Sequence, residues 1–231
     1  MANSKALSRF AGGISTAEKA ETLGMFQMPD PTKYHVYFND FDTYVAGDWT
    51  ITEVGAGTRA LTDVDGGALL ITNAGVEDDH NYLNKKGESF LFTTGKSLFF
   101  KARFKVSHAT QSDFVIGLQT TDTTPLDARD GVFFQKDDGD TNLDFHVEKD
   151  DVATDATAIH TIVADTFLTV GFYYDGRDKI RYYVNDVQKG TLAITNMPDD
   201  EELTISLAVE NGDGVTPQAL TIDYVFVARE R

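Results

Sequence analysis

The sequence predicts an all-β protein, a sandwich or barrel of short antiparallel strands. Apolar and polar residues alternate with a two-residue period in roughly a dozen short runs after residue 33. Helical periodicity is almost absent from the same stretch, and the runs are separated by Asp-, Asn- and Gly-rich breaks such as Asp63–Gly67, Asp137–Asp140 and Asn211–Gly214. No repeat of fixed period occurs, which argues against a propeller or solenoid. A chain of 231 residues suits one large β domain. The boundaries read as an N-terminal arm, 1–33, and a β domain, 34–231.

In chain order, the arm is rich in Ala, Gly and Ser, lacks strand alternation and closes with Pro29 and Pro31. Ser15 and Glu18 have capping-box spacing, so a short helix is expected from Thr16 to Leu23, ended by Gly24. Phe10, Ile14, Leu23, Met25, Phe26 and Met28 read as contacts to a neighbour, because exposed Phe and Met are wasteful unless something covers them. A loosely ordered terminus is the other reading.

Strands are expected at Tyr34–Phe38, Trp49–Thr52 and Ala68–Thr72, with Glu53–Thr58 and the acidic Glu77–Asn81 as loops. Trp49, the only tryptophan, reads as core packing. Leu98, Phe100, Ala102, Phe104 and Val106 should face inward, leaving Phe99, Lys101, Arg103 and Lys105 outside. Asp113–Thr120, Gly131–Lys136 and Leu143–Glu148 follow, the last with Asp144, His146 and Glu148 outward. Thr154–Thr157 reads as a polar loop before a short strand, Ile159–Val163. Leu168, Val170, Phe172 and Tyr174 then form one face of a strand that turns at Asp175-Gly176 into Ile180–Val184. Leu203–Val209 is a further strand, and Leu220, Ile222, Tyr224 and Phe226 should alternate in the last one.

Twenty Lys and Arg against 37 Asp and Glu give a net charge of −17. Such a surface repels phosphate backbones and anionic lipid, so neither nucleic acid nor membrane is an expected partner. Hydrophobic content of 41% supports a packed core. No cysteine is present, which excludes disulfides and thiolate chemistry and fits assembly in a reducing cytoplasm. No apolar run has the length of a signal peptide or a membrane span.

The hairpin of FLTVGFYYDG and the following aromatic strand resembles that of the concanavalin A-like lectin/glucanase superfamily. FNDFDTYVAGDWTIT is similar to its opening segment, and LTIDYVFVARE to a closing strand that pairs beside the first. The resemblance implies a two-sheet antiparallel jelly-roll sandwich over 34–231. MANSKALSRFAGGIS running into MPDPTKYHVYFNDFDTY resembles head decoration (cement) proteins of tailed bacteriophages. That resemblance implies a virion structural protein on the capsid surface, assembled in the host cytoplasm, with the major capsid protein as partner and self-association, as a trimer on a symmetric lattice.

Catalytic motifs fare poorly. A retaining glucanase of this superfamily needs E-x-D-x-x-E, and the nearest string, Glu148 to Ala153, puts Ala153 where the acid/base belongs. Five scattered histidines form no H-x-H or H-x-x-x-H pair. Asp138, Asp140, Asn142 and Asp144 alternate as in a calcium loop, but Leu143 and Lys149 stand where an EF-hand requires Gly and Glu. The expectation is therefore no enzyme and no cofactor, with calcium the one ion left open. Phe99, Tyr173, Arg181 and Tyr183 form the candidate contact face, for a neighbouring subunit or, in a lectin-like alternative, for a glycan.

Overall fold

The computed structural model describes residues 31–212 and 216–231. The arm contacts Phe10, Ile14, Leu23, Met25, Phe26 and Met28, and the helix expected from Thr16, lie outside the described residues.

Fifteen strands are formed: β1 (Tyr34–Asn39), β2 (Trp49–Val54), β3 (Thr58–Thr62), β4 (Ala68–Thr72), β5 (His80–Lys85), β6 (Leu98–Val106), β7 (Ser112–Gln119), β8 (Gly131–Lys136), β9 (Asn142–Lys149), β10 (Val152–Thr161), β11 (Leu168–Tyr174), β12 (Lys179–Val184), β13 (Val187–Ala193), β14 (Thr204–Asn211) and β15 (Ala219–Glu230). They build two antiparallel sheets. The larger has eight strands in the order β13-β12-β11-β6-β15-β4-β3, with β1 paired to β15; the smaller has seven, β10-β9-β8-β7-β14-β5-β2. The closing strand does pair beside the first, from Tyr34↔Glu230 to Asn39↔Val225.

The inner faces meet over an aromatic seam. Phe172 stacks on Phe100 of the neighbouring strand at 5.1 Å between ring centres, and across the sandwich it meets Phe145 at 5.8 Å and Phe134 at 6.4 Å. Phe104 and Phe114 close edge to face at 5.1 Å. Trp49 is buried, as its lone position in a strand suggested. Strand β6 alternates between buried and half-buried along its whole length, as expected.

Several boundaries differ from the sequence reading. Glu53 and Val54 extend β2, Thr58 opens β3, and His80 and Asn81 open β5, so both proposed loops are shorter. Thr154–Thr157 is not a loop but part of β10, whose register shifts by a bulge between Ala156 and His160. Ala158, at φ 53, lies inside that bulge. The Asp175-Gly176 dipeptide is not a two-residue turn; the link from β11 to β12 spans 175–178, and Gly176 at φ 77 lies against the backbone of Gly95 and Lys96. The tight hairpins are instead Asp150-Asp151 (φ 53 and 61) and Asn185-Asp186 (φ 50 and 62), where two successive positive φ values match the strand twist.

The largest correction is in β15. A bulge between Ile222 and Tyr224 reverses the alternation, so Val225 and Val227 enter the core while Tyr224 and Phe226 turn outward. Asp223, at the bulge, is held by the Arg103 guanidinium.

Phe172 contacts both sheets, so its truncation leaves a cavity that neither can collapse to fill. Phe172→Ala is expected to lower stability by about 3–5 kcal/mol in denaturant unfolding monitored by circular dichroism.

Candidate functional site

Each sheet presents an outer face, and the two are built differently. On the smaller sheet, register brings Asp113, Glu210 and His80 into one cross-strand row. Val115, Ala208 and Tyr82 form the next, and Gly117, Phe133, His146 and Asp155 another. His80 stacks on Tyr82 at 4.2 Å, and His146 on Phe133 at 5.1 Å. His146 Nδ1 lies 2.8 Å from Asp155 Oδ1, and the Tyr82 hydroxyl donates to Glu210 Oε2.

The centre of this face is covered by the chain itself. Tyr82, Val115, Phe133 and Ala208 form a second apolar cluster against which Leu126 packs. The covering segment, residues 120–130, contains a 3₁₀ turn (Pro125–Asp127) and is tied down on all sides. Gln119 Nε2 donates to Pro125 O at 2.8 Å, Gln135 Nε2 to Leu126 O at 3.3 Å, and Thr120 N to Asp130 O at 3.1 Å. Arg129 bridges to Asp150 and Asp151 at 3.1 Å each. Its middle is a secondary core.

Acidic groups remain around the rim. Burial, with Asp138 and Glu210 nearby and Lys136 only partly compensating, pushes the Asp113 carboxyl up to about 7. Its Oδ1 is buried with no hydrogen-bond partner among the described residues. Lys136 is itself buried, donates to Thr110 O at 2.8 Å, and has its pKa lowered by desolvation. Glu148 is raised to about 7 by burial, then by Asp155, Asp151, Asp127 and Asp130. Glu210 is likewise raised by burial, although the Tyr82 hydrogen bond opposes this.

Among the described residues no group of three or more His, Cys, Asp or Glu is placed to hold a metal ion. Asp140 is occupied by Asn142, whose backbone N and side-chain Nδ2 donate to it at 2.7 and 2.8 Å. The Glu148 string fails as a catalytic motif for a structural reason as well: the chain reverses at Asp150-Asp151, so Ala153 sits opposite Glu148 on the next strand.

The outer face of the larger sheet is open and aromatic. It carries all four residues of the sequence-derived contact face. Tyr173 lies opposite Phe99 on one side and Arg181 on the other, and Gly171 lies between Lys101 and Tyr183. Arg181 sits over the Tyr173 ring at 5.9 Å, and Arg103 over Phe167 at 4.2 Å. The β15 bulge adds what the sequence reading missed. Phe226 meets Phe99 at 5.9 Å, and Phe38 of β1, 54% exposed, meets Phe226 at 6.3 Å and Tyr224 at 6.4 Å. Strict alternation had placed Tyr224 and Phe226 inside, and the only warning was Asp223 between apolar neighbours. Beside Phe99 and Tyr183 lies a cavity of about 180 Å³.

The raised carboxyl of Asp113 gives a pH prediction. A group whose pKa is higher folded than unfolded supports folding fully below its ordinary value of 3.8, and that support is lost as pH rises through about 7. Asp113→Asn is therefore expected to match the parent protein near pH 4 and to exceed it by about 1–3 kcal/mol near pH 8. Urea unfolding at the two pH values measures this; equal pH dependence in both proteins would contradict it.

No protein-family model matches the chain, and no curated protein matches it in sequence. Solved structures do share its fold. A protein of unknown function from Shewanella oneidensis MR-1 superposes with a TM-score of 0.62 at 14% identity, covering 90% of this chain and 91% of that one. The endo-1,3-β-glucanase from Streptomyces sioyaensis gives 0.60 at 13% identity, covering 89% and 99%. The carbohydrate recognition domain of Emp46p gives 0.58 at 10% identity, covering 82% and 94%. The fold thus serves enzymes and binding domains alike, and does not by itself exclude catalysis. The chain is a two-sheet antiparallel jelly-roll sandwich, a fold it shares with that glucanase and that carbohydrate recognition domain.

Proposed function

We propose that the protein is a non-catalytic virion structural protein that decorates a phage capsid, docking on the major capsid protein through its N-terminal arm, residues 1–33, together with the aromatic strip beside β1. The observation that carries this reading is the junction. The arm runs directly into β1, which begins at Tyr34 and bears exposed Phe38. The last residue pins that junction, with Arg231 N donating to Lys33 O at 2.8 Å and Arg231 Nε to Pro31 O at 3.2 Å. A tethered arm and a neighbouring apolar strip can engage one partner together, and Phe38, Tyr224 and Phe226 then lose contact with water. The strongly acidic remainder keeps the outward surface soluble, and trimerisation at a local threefold position of the capsid belongs to the same reading.

Lack of catalysis is part of this proposal. It is supported by the hairpin that breaks the Glu148 string and by the covered centre of the smaller sheet. A second reading, a lectin-like glycan-binding module, is favoured by the cavity beside Phe99 and Tyr183 and by the fold shared with a carbohydrate recognition domain.

Deleting residues 1–30 keeps Pro31 to Lys33 against Arg231 and is expected to leave a folded domain that no longer co-sediments with capsids. Phe38→Ser in the full chain is expected to weaken capsid binding by about tenfold or more without lowering stability. Full capsid occupancy by the truncated protein would sink the docking role of the arm. Release of reducing sugar from β-glucans by the full chain would sink the non-catalytic reading.

A further inference from the structure

We infer that the cavity floored by Gly171 on the outer face of the larger sheet is a binding slot for a single neutral hexopyranose ring. This deepens the glycan-binding reading and rests on it; the capsid reading stands apart.

The slot exists because one side chain is missing from an otherwise filled row. Gly171 lies between Lys101 and Tyr183, and its neighbours Thr169 and Tyr173 carry side chains on the same face. A Cβ at 171 would point into the row and come within 2.9 Å of Phe100 O. The resulting space, about 180 Å³, is lined by Phe99, Lys101, Thr169, Gly171, Tyr183 and Asp186. It suits one ring.

The lining chemistry selects the ligand. Phe99 and Tyr183 offer aromatic surface for the C–H face of a sugar. At one side Lys101 Nζ meets Asp186 Oδ1 at 2.5 Å. The pair, with Tyr224 also hydrogen-bonded to Lys101, places an ammonium donor beside an exposed carboxylate acceptor, as neighbouring hydroxyls on a ring require. Asp186 disfavours anionic ligands such as phosphates and uronates, and Lys101 disfavours cations, so a neutral polyol is the match. The pair is also positioned by the fold. Asp186 is the second residue of the Asn185-Asp186 turn, at φ 62, and Lys101 projects from the middle of β6, between β11 and β15.

Saturation-transfer NMR on the full chain with D-glucose, D-galactose and D-mannose tests this, with titration of any sugar that gives a signal. A millimolar Kd is expected for at least one of them. Tyr183→Ala and Asp186→Asn should each weaken it by about tenfold or more. Asn tolerates the positive φ of position 186, so the second variant keeps the turn. Val54→Thr, at an exposed position of β2 in the smaller sheet, should leave binding unchanged. If no hexose gives a signal, the inference is overturned. If a hexose binds equally to both slot variants, the slot assignment is overturned while glycan binding stands. A glycan array that also shows no binding would remove the glycan reading altogether.

Discussion

The aromatic seam around Phe172 is the constraint on which the rest of the sandwich depends. Its ring touches Phe92 and Phe100 on one side and Phe134 and Phe145 on the other, so both sheets are registered against one buried residue. In a strand every inward residue fixes its neighbours outward, and a one-residue slip would expose the whole seam. What the outer faces display is thus a consequence of what the core demands. Phe99, Lys101, Arg103 and Lys105 are outside because Leu98, Phe100, Ala102, Phe104 and Val106 must be inside.

The two outer faces then diverge through their loops. Over the smaller sheet, residues 120–130 lay Leu126 on Tyr82, Val115, Phe133 and Ala208, and buried side-chain amides hold the segment there. Among the described residues no corresponding segment packs over the larger sheet, where Phe38 is 54% exposed. Carboxylates crowd the rim of the covered face, and aromatic rings line the open one. Burial without enough cations raises Asp113 and Glu148, whereas three cations of the open face have a local acid: Lys101 with Asp186, Arg103 with Asp223, Arg181 with Asp175.

Much of this was legible in the sequence, and the limits have physical causes. Strands with one buried face, such as β6, β9 and β11, announce themselves by alternation, because one surface is more solvated than the other. Strands β3, β10 and β13 lie at sheet edges, bury none of their residues fully, and gain their pairing from a neighbour rather than from their own pattern. The hairpin at Asp150-Asp151 lacks the glycine that usually marks such a turn, and Asp175-Gly176 has the mark but serves a longer link. The covering role of Leu126 could not be read from its sequence at all, since a loop residue reveals its partner only when the sheet is assembled.

The bulge at Asp223 shows how one local irregularity sets the character of a whole surface. Strict alternation from Leu220 would have hidden Tyr224 and Phe226 and turned Val225 and Val227 to solvent. Shifting register by one residue keeps the smaller β-branched pair for the core and moves two large rings outward, beside Phe38 and Phe99. A bulge leaves one residue out of the ladder, and here that residue is an aspartate tied to Arg103, a central cation of the same face. The ion pair offsets the cost of the irregularity and occupies a charge that would otherwise interrupt the rings. A chain with a net charge of −17 therefore presents one broad face whose central cations Lys101, Arg103 and Arg181 are paired locally and whose neighbouring side chains are largely aromatic. Recognition there depends on shape and ring contact rather than on long-range attraction, which suits a neutral sugar in the Gly171 slot and an apolar protein surface along β1 equally well.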